Sequence, residues 1–145
     1  MLVERLKEAC DNVEWEFNYG RGHWQNLLDV PDDSDQPFAD RKKYFLLLWK
    51  DRDFKLNDYG AIDGYIFDGE LVLCVRSKLS DEDYNEKYET HIKNLELEIE
   101  KIFDNITSCE QWLITRWKEI EVENEYDTNL DGLKVRFQIT YTNES

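Results

Sequence analysis

The most specific chemical pattern in the chain is a run of oxygen-bearing side chains near the C-terminus. Asp127, Asn129, Asp131 and Gly132 match the opening D-x-[DN]-x-[DN]-G of a calcium-binding loop. The match then fails, because position twelve of such a loop requires a bidentate glutamate and the chain has Gln138 there. We therefore interpret the stretch as a hairpin turn. A small metal-dependent enzyme is an alternative that depends on this incomplete loop alone.

The two histidines are the other candidates for chemistry, and neither has a recognisable catalytic partner. His23 follows two glycines in the segment YGRGHW, where the backbone can turn tightly and present Arg21, His23 and Trp24. No serine or cysteine forms a nucleophile elbow with His23, and the segment lacks the spacing and the lysine of a phosphate-binding loop. His91 falls beside the apolar stripe of a predicted helix, where a structural or exposed role is expected. We therefore expect no enzyme, no bound metal and no cofactor.

The charge of the chain restricts its partners. The 145 residues have a formal net charge of −15, with 35% charged and 41% hydrophobic residues. A surface this acidic repels phosphate groups, so sequence-specific nucleic-acid binding and docking on an anionic membrane are not expected. The length and the apolar content indicate a single domain, residues 1–145, with a substantial core.

Cysteine use and hydropathy indicate the compartment in which the protein is made. Cys10, Cys74 and Cys109 are odd in number and far apart, which argues against a disulfide framework or a zinc site and fits a reducing cytoplasm. The N-terminal MLVERLKEAC is charged where a signal peptide needs an apolar core. The apolar runs are far shorter than the ~20 residues of a membrane span.

A long amphipathic helix is predicted over residues 81–106. Its apolar residues recur at intervals of three and four, at Tyr84, Tyr88, Ile92, Leu95, Ile99, Ile102, Phe103 and Ile106. Charged residues occupy the opposite face, and Ser80 is placed to cap the N-terminus. A short helix is predicted at residues 2–13, with Leu2, Leu6, Ala9 or Cys10, and Val13 on one side.

Alternating and apolar segments predict the strands on which the helices lie. Residues 14–19 alternate, residues 44–49 are apolar enough to be buried on both faces, and DRDFKLNDYG then reads as a polar connection. Asp68-Gly69, between two apolar runs, predicts a tight hairpin, with a single strand containing a glycine bulge as the alternative.

The C-terminal third predicts two further strand regions. In the first, residues 111–122, Trp112 and Ile114 share one face while Leu113 and Trp117 share the other. In the second, Leu133, Val135, Phe137, Ile139 and Tyr141 alternate strictly with polar residues. The expected fold is therefore α+β, a small antiparallel sheet with the long helix and the short N-terminal helix packed on it.

The connecting segments at 20–24 and 29–40 are where contacts with other proteins are expected. Residues 29–40 contain both prolines and five aspartates, which is typical of a solvated loop. The alternative is a segment that becomes ordered against a neighbouring subunit, with Phe38 as its anchor.

The order of these elements, together with three motifs, resembles a family of small tailed-phage and prophage proteins from phages of Bacteroidetes hosts. The motifs are the YGRGHWQNL turn, the GELVLCVRS strand and the KYETHIKNL helix, within residues 17–106. The element order is also similar to that of tail-terminator, tail-completion and neck proteins. Those proteins place a helix across a small antiparallel sheet and assemble as rings at the head–tail junction.

The resemblance implies a non-enzymatic structural protein of the virion, a ring-forming head–tail connector or tail-completion protein made in the bacterial host cytoplasm. It transfers no catalytic residue. The implied partners are copies of the chain itself and portal, neck or tail proteins, with DNA passing through an acidic ring that does not retain it. The candidate interface residues are Arg21, His23, Trp24 and Phe38.

The alternative function belongs to another class. An acidic phage or prophage inhibitor mimics nucleic acid and occupies a host nucleic-acid-binding protein. Such a mimic needs closely spaced carboxylates on one continuous face, as on the helix predicted at 81–106, whereas a ring subunit needs interface loops.

Overall fold

A computed structural model of the chain describes residues 1–20, 40–76, 92–125 and 130–143. These residues form an α+β fold, as predicted, with two helices and five strands. In chain order the elements are α1 (Leu2–Asn12), β1 (Glu16–Tyr19), β2 (Lys43–Leu56), β3 (Ile62–Arg76), α2 (Lys93–Ile106), β4 (Trp112–Glu125) and β5 (Leu130–Thr142).

The five strands form one mixed sheet, in the order β1-β2-β3-β5-β4. β1 pairs with β2 in parallel, with Glu16 opposite Tyr44, whereas the other three pairings are antiparallel. The prediction of an antiparallel sheet is therefore wrong at this edge. Parallel neighbours need a connection of about a dozen residues or more, and the segment 20–42 between β1 and β2 provides that length.

Both helices lie on one face of the sheet and cover the main core. Their buried residues are Leu2, Leu6, Ala9 and Cys10 in α1, and Leu95, Ile99, Ile102 and Ile106 in α2. Alternate residues of the sheet face them, and the contribution of β5 is Leu133, Val135, Phe137 and Ile139. The strict alternation in the last strand is thus confirmed as a core-facing pattern.

The described part of the second helix begins at Lys93, so the helix predicted over 81–106 is confirmed only in its C-terminal half. Ile92, Leu95, Ile99, Ile102 and Ile106 of the stripe are buried and Phe103 is half-buried, while Glu100 and Asp104 are exposed on the other face. The predicted N-cap Ser80 and the stripe residues Tyr84 and Tyr88 lie outside the described residues.

The end of α2 is joined to α1 by a half-buried cation. The Nη2 atom of Arg5 donates hydrogen bonds to the main-chain oxygens of Asn105, at 3.0 Å, and Ile106, at 2.9 Å. A guanidinium at this position satisfies helix-terminal carbonyls that have no partner within the helix and complements the negative end of the helix dipole.

β2 and β3 form a long hairpin whose tip lies where the sequence predicted a polar connection. That prediction is wrong, because β2 continues to Leu56 and residues 51–55 pair with β3, from Asp51 opposite Asp68 to Lys55 opposite Gly64. The register shifts by one residue at a bulge between Leu47 and Trp49, but the pairing continues beyond it, so the ladder does not end where the charges begin.

The Asp68-Gly69 pair is a strand position and not a turn. A Cβ added to Gly69 would lie 2.4 Å from the main-chain oxygen of Trp49 and 2.6 Å from Cζ of Phe137. The glycine is therefore required by the close approach of both neighbouring strands. The single-strand alternative is correct, although the bulge itself lies opposite, in β2 between Leu47 and Trp49.

The strand predicted at 44–49 is buried on both faces, as expected. Phe45 and Leu47 belong to the core under the helices. The face of the sheet opposite the helices, which we call the outer face, carries a second buried cluster that consists of Tyr44, Leu46, Val72 and Cys74. This cluster occupies the β2–β3 half of the outer face.

β4 is the last strand of the described sheet and contains a bulge. Its register with β5 shifts between Ile114 and Arg116, which leaves one extra residue at Thr115. Trp112, Ile114 and Trp117 consequently all belong to or pack against the helix-side core, although the sequence placed Trp112 and Trp117 on opposite faces. One inserted residue reverses the faces of every residue beyond it.

Candidate functional site

The interface residues expected from the sequence, Arg21, His23, Trp24 and Phe38, all lie outside the described residues, and so does His91. Their role stays a prediction. In the described part of the chain, two exposed surfaces have the chemistry of a contact site. One is on the outer face of β4 and β5, and the other is at the tip of the β2–β3 hairpin.

The first surface, the basic patch, consists of Arg116, Lys118, Lys134 and Arg136. The sheet register aligns them in rows across the strands, with Lys118 opposite Arg136 and Arg136 opposite Glu70 of β3. Each alternates along its strand with core-facing residues, so all four emerge on the outer face. The patch gathers four of the 18 cationic residues of a chain whose net charge is −15.

A single carboxylate lies among these four cations. Nε of Arg136 donates to Oε1 of Glu70 at 3.1 Å, and Nζ of Lys134 lies 3.9 Å from Oε2 of the same residue. In the described part of the chain, neither Arg116 nor Lys118 forms an ion pair. Because cationic side chains directly opposite each other in a sheet repel, this arrangement costs the isolated subunit stability.

Apolar surface and open space accompany the charge. The side chain of Ile120, which is opposite Lys134 and next to Lys118 on the outer face of β4, is 56% exposed. A hollow of about 270 Å³ is lined by Glu70, Lys118, Ile120, Lys134 and Arg136. An exposed apolar side chain next to charged residues is a combination found on protein-binding surfaces.

The other side of β4 has the opposite charge. Glu119 faces the helix side, where its Oε1 accepts a hydrogen bond from Nε1 of Trp117 at 2.9 Å. Glu96 of α2 lies near Glu119. Burial, and then the charges of Glu119 and Glu121, raise the pKa of the Glu96 carboxyl above its ordinary value. The strand thus separates an acidic flank from the basic patch.

The second surface, the hairpin tip, comprises residues 51–63 and is organised by Asn57. The Oδ1 atom of Asn57 accepts hydrogen bonds from the main-chain nitrogens of Tyr59, at 2.9 Å, and Ala61, at 3.0 Å. Gly60 has a φ of +77°, a conformation that favours glycine, and its nitrogen donates to the oxygen of Asn57 at 2.9 Å. These bonds hold the turn in one conformation.

The organised turn presents apolar side chains to solvent. Four large ones are exposed here: Phe54 50%, Leu56 61%, Tyr59 95% and Ile62 46%. The guanidinium of Arg52 lies 5.2 Å from the ring centre of Phe54 and 5.0 Å from that of Tyr65, which stiffens the base of the tip. The tip also contains four aspartates against two cationic residues, so its charge is opposite to that of the basic patch.

A third recess, of about 440 Å³, lies where α1 leads into β1 and includes Glu14, whose φ is +63°. The strained backbone has a structural cause. The nitrogen of Trp15 donates to the oxygen of Cys10 at 2.9 Å, and that of Glu14 donates to Asp11 at 3.3 Å, which is the Schellman pattern that ends a helix. The recess mixes acidic and basic side chains.

The described residues also bear on the enzyme question. No group of three or more His, Cys, Asp or Glu side chains among them is placed to hold a metal ion. Burial raises the pKa of the Cys10 thiol to about 12, so Cys10 is protonated at neutral pH. The predicted turn at the calcium-like stretch lies mainly in residues 126–129, outside the described ranges, whereas Asp131 and Gly132 belong to β5. Neither described helix has the length and hydropathy needed to cross a membrane.

Sequence reasoning missed both surfaces for identifiable reasons. The period-two placement of Lys134 and Arg136 was visible, but only the register with β4 shows that Lys118 joins them. The exposed Phe54 and Leu56 are separated by charged residues in the sequence. The segment therefore resembles a polar loop, although it is a strand with apolar side chains exposed to solvent. Comparison of the chain with models of known protein families finds no match, and neither does comparison with curated proteins.

Proposed function

We propose that the chain is a non-enzymatic structural component of a phage virion, a subunit of a ring that acts as a head–tail connector or tail-completion protein. The ring is built from copies of the chain and contacts portal, neck or tail proteins. The proposal rests on the resemblance of the motifs in residues 17–106 and on the contact surfaces of the described fold.

The observation that carries the proposal is the outer face of β4 and β5. Like charges lie directly opposite each other at Lys118 and Arg136, and Ile120, which is opposite Lys134, is 56% exposed beside them. Neither feature stabilises a lone subunit. Both are useful on a surface that an acidic, partly apolar partner covers, because the partner then neutralises the cations and removes the apolar side chain from water.

The position of β4 supports assembly as well. In the described sheet β4 has a neighbour on one side only, so the main-chain groups on its other side have no strand partner among the described residues. The bulge at Thr115 and the charges of Lys118 and Glu119 discourage indiscriminate pairing along this edge. A subunit with these features favours a specific partner over random aggregation.

The acidic flank has the charge expected of a surface that lines a channel for DNA. Glu96, Glu119 and Glu121 lie together on the helix side, and the chain as a whole carries −15. A channel lined by such a surface repels the phosphate backbone and so does not hold the DNA in transit. We propose that the helix side faces the lumen. A structure of the assembled ring with a basic lumen would contradict this orientation.

The test uses the purified full chain together with the portal and tail-tube proteins encoded by the same phage or prophage genome. Cosedimentation and negative-stain electron microscopy should show the chain as a ring on one of these assemblies. A chain that stays monomeric and binds neither of them would rule the proposal out. A monomer in the absence of the portal is compatible with it, because a template can be required for closure.

The acidic flank also supports a second candidate function, the nucleic-acid mimic. Carboxylates of α2 and β4 lie close enough for repulsion to contribute to the raised pKa of Glu96. Exposed Glu100 and Asp104 extend the negative surface along the helix. A mimic would displace labelled duplex DNA from host nucleoid proteins, and its activity would be lost on reversing the charges of Glu96, Glu100 and Asp104. Ring assembly should survive the same reversal.

A further inference from the structure

We propose that subunits join head to tail, with the hairpin tip of one copy of the chain bound on the basic patch of the next. This inference rests on the proposed function and names the contact that forms the ring. The two surfaces lie on the same chain, are both exposed, and are opposite in charge.

Charge identifies the hairpin tip as the occupant of the basic patch. Asp58 and Asp63 flank the exposed side chains of Tyr59 and Ile62, and neither aspartate forms an ion pair with another described residue. The patch offers Arg116 and Lys118, the two cations without an acidic neighbour within ion-pair distance. Docking the tip there supplies the missing carboxylates.

The hairpin tip and the basic patch also have complementary apolar groups. Tyr59 is 95% exposed at the end of an ordered turn, which is the form of a rigid aromatic anchor. In the proposed contact the aromatic ring of Tyr59 enters the hollow of about 270 Å³ beside Ile120 and covers the exposed apolar surface of Ile120. Because the hydrogen bonds of Asn57 already fix the turn, little conformational entropy remains to be lost when the tip binds.

The tip cannot reach the patch of its own subunit. Pairing of β3 with β5 runs from Gly64 opposite Thr142 to Glu70 opposite Arg136 and beyond, so the two regions are about 20 Å apart along a rigid sheet. The tip is also held in place by the C-terminal end of the chain, where the nitrogen of Asn143 donates to the oxygen of Asp63 at 2.6 Å. The contact is therefore between different copies of the chain.

A contact between two different surfaces is heterologous. Such contacts repeat, and they close into a ring when the rotation between neighbours divides a full turn evenly. A two-fold dimer that uses these surfaces needs both contacts at once, with the tip of each copy on the patch of the other, whereas a ring needs one such contact per pair of neighbours. The mass of the assembled oligomer distinguishes the two arrangements.

The test uses two sets of charge reversals in the full chain. The tip variant carries Asp58→Lys and Asp63→Lys, and the patch variant carries Arg116→Glu and Lys118→Glu. The swapped variant carries all four substitutions. A further tip variant carries Tyr59→Ser. The control for the charge reversals is Lys7→Glu at an exposed position of α1, and the control for Tyr59→Ser is Leu97→Ser at an exposed position of α2. Circular dichroism and thermal melting confirm that each variant is folded before sedimentation is measured, with and without the portal.

The tip variant, the patch variant and Tyr59→Ser should each weaken self-association about tenfold or more, while the controls should not. The swapped variant should regain assembly. A mixture of the tip variant and the patch variant should also regain assembly, with the two variants alternating, because each tip then meets a patch of opposite charge.

Other outcomes overturn the inference. If the unaltered chain and all variants assemble equally well, the ring is held by another contact, and the inference fails while the proposed function stands. If the unaltered chain assembles neither alone nor on the portal, both fail.

Discussion

Lys118 and Glu119 are consecutive residues of β4 that point to opposite faces of the sheet and belong to opposite electrostatic surfaces. Lys118 is opposite Arg136 on the outer face, and Glu119 is opposite Val135 on the helix side, near Glu96. Because side chains alternate along a strand, β4 alone contributes both to a basic face, which we assign to the contact with a neighbouring subunit, and to an acidic face, which we assign to the lumen. A ring subunit needs two surfaces of different charge, because the surface that lines the lumen must repel DNA while the contact surface must bind the next subunit.

Assembly should weaken with salt. Exposed charges are screened over a distance that shrinks from roughly 14 Å near 50 mM salt to about 4 Å near 500 mM salt. If the tip and the patch form the contact, raising sodium chloride over this range should shift the association midpoint to higher protein concentration by about tenfold. Sedimentation velocity measures the shift. Association that is unchanged or stronger in high salt would indicate a predominantly apolar contact elsewhere.

The substitution Gly69→Ala should destabilise the sheet. The new Cβ would lie 2.4 Å from the main-chain oxygen of Trp49, which cannot move without disturbing β2. We expect a loss of about 1–3 kcal/mol in the free energy of unfolding, measured by urea denaturation. Gly60→Ala is the matched control: nothing lies within 4 Å of its Cβ, so only the cost of its φ of +77° applies, about 1 kcal/mol. Equal stability of Gly69→Ala and the unaltered protein would show that the strands separate there easily.

Gly69 also shows why part of the fold could be predicted and part could not. The strict alternation from Leu133 to Tyr141 and the spacing of Leu2, Leu6 and Ala9 are local signals, and the structure confirms them. The sequence Asp68-Gly69 carries a turn signal too, but close packing against Phe137 and Trp49 gives this glycine its role. That packing depends on strands that are distant in the chain.

The remaining differences have similar causes. The bulge at Thr115 and the parallel pairing of β1 follow from sheet register and the length of the connection between β1 and β2. The basic patch exists only after β4 and β5 are aligned, so no window of sequence contains it. The interface predicted from Arg21, His23, Trp24 and Phe38 lies outside the described residues and stays a prediction.

The substitution Glu14→Gly should stabilise the protein. Glu14 adopts a φ of +63° at the end of α1, in the position that helix-terminating motifs usually give to glycine. Relief of that conformation should add about 1 kcal/mol to the free energy of unfolding and about 2–4 °C to the Tm. As a control, Glu8→Gly within α1 should cost about 0.5–1 kcal/mol. A lower Tm for Glu14→Gly would mean that the side chain makes a contribution larger than the backbone strain.

The pH dependence of stability should respond to Glu96. Burial and the neighbouring Glu119 and Glu121 raise the pKa of its carboxyl in the folded state above the ordinary 4.5. Between these two pKa values the folded state binds more protons than the unfolded state, so stability falls as the pH rises through that interval. Glu96→Gln removes this loss and should raise the Tm at pH 7, by about 1–2 °C, with the gain disappearing below the ordinary pKa.

Glu100→Gln is the control for the Glu96 experiment. Glu100 is exposed on the same helix, and its replacement removes one negative charge without relieving the contact between α2 and β4. Differential scanning calorimetry over a pH series should therefore separate the two variants. An equal gain from both substitutions would point to a general effect of net charge.

Native mass spectrometry of the unaltered chain, alone and with its portal protein, tests the central claim most directly. We predict a single closed oligomer whose mass is one fixed multiple of the subunit, formed alone or on the portal and dissociating as the ionic strength is raised. A chain that remains strictly monomeric in both samples would contradict the account.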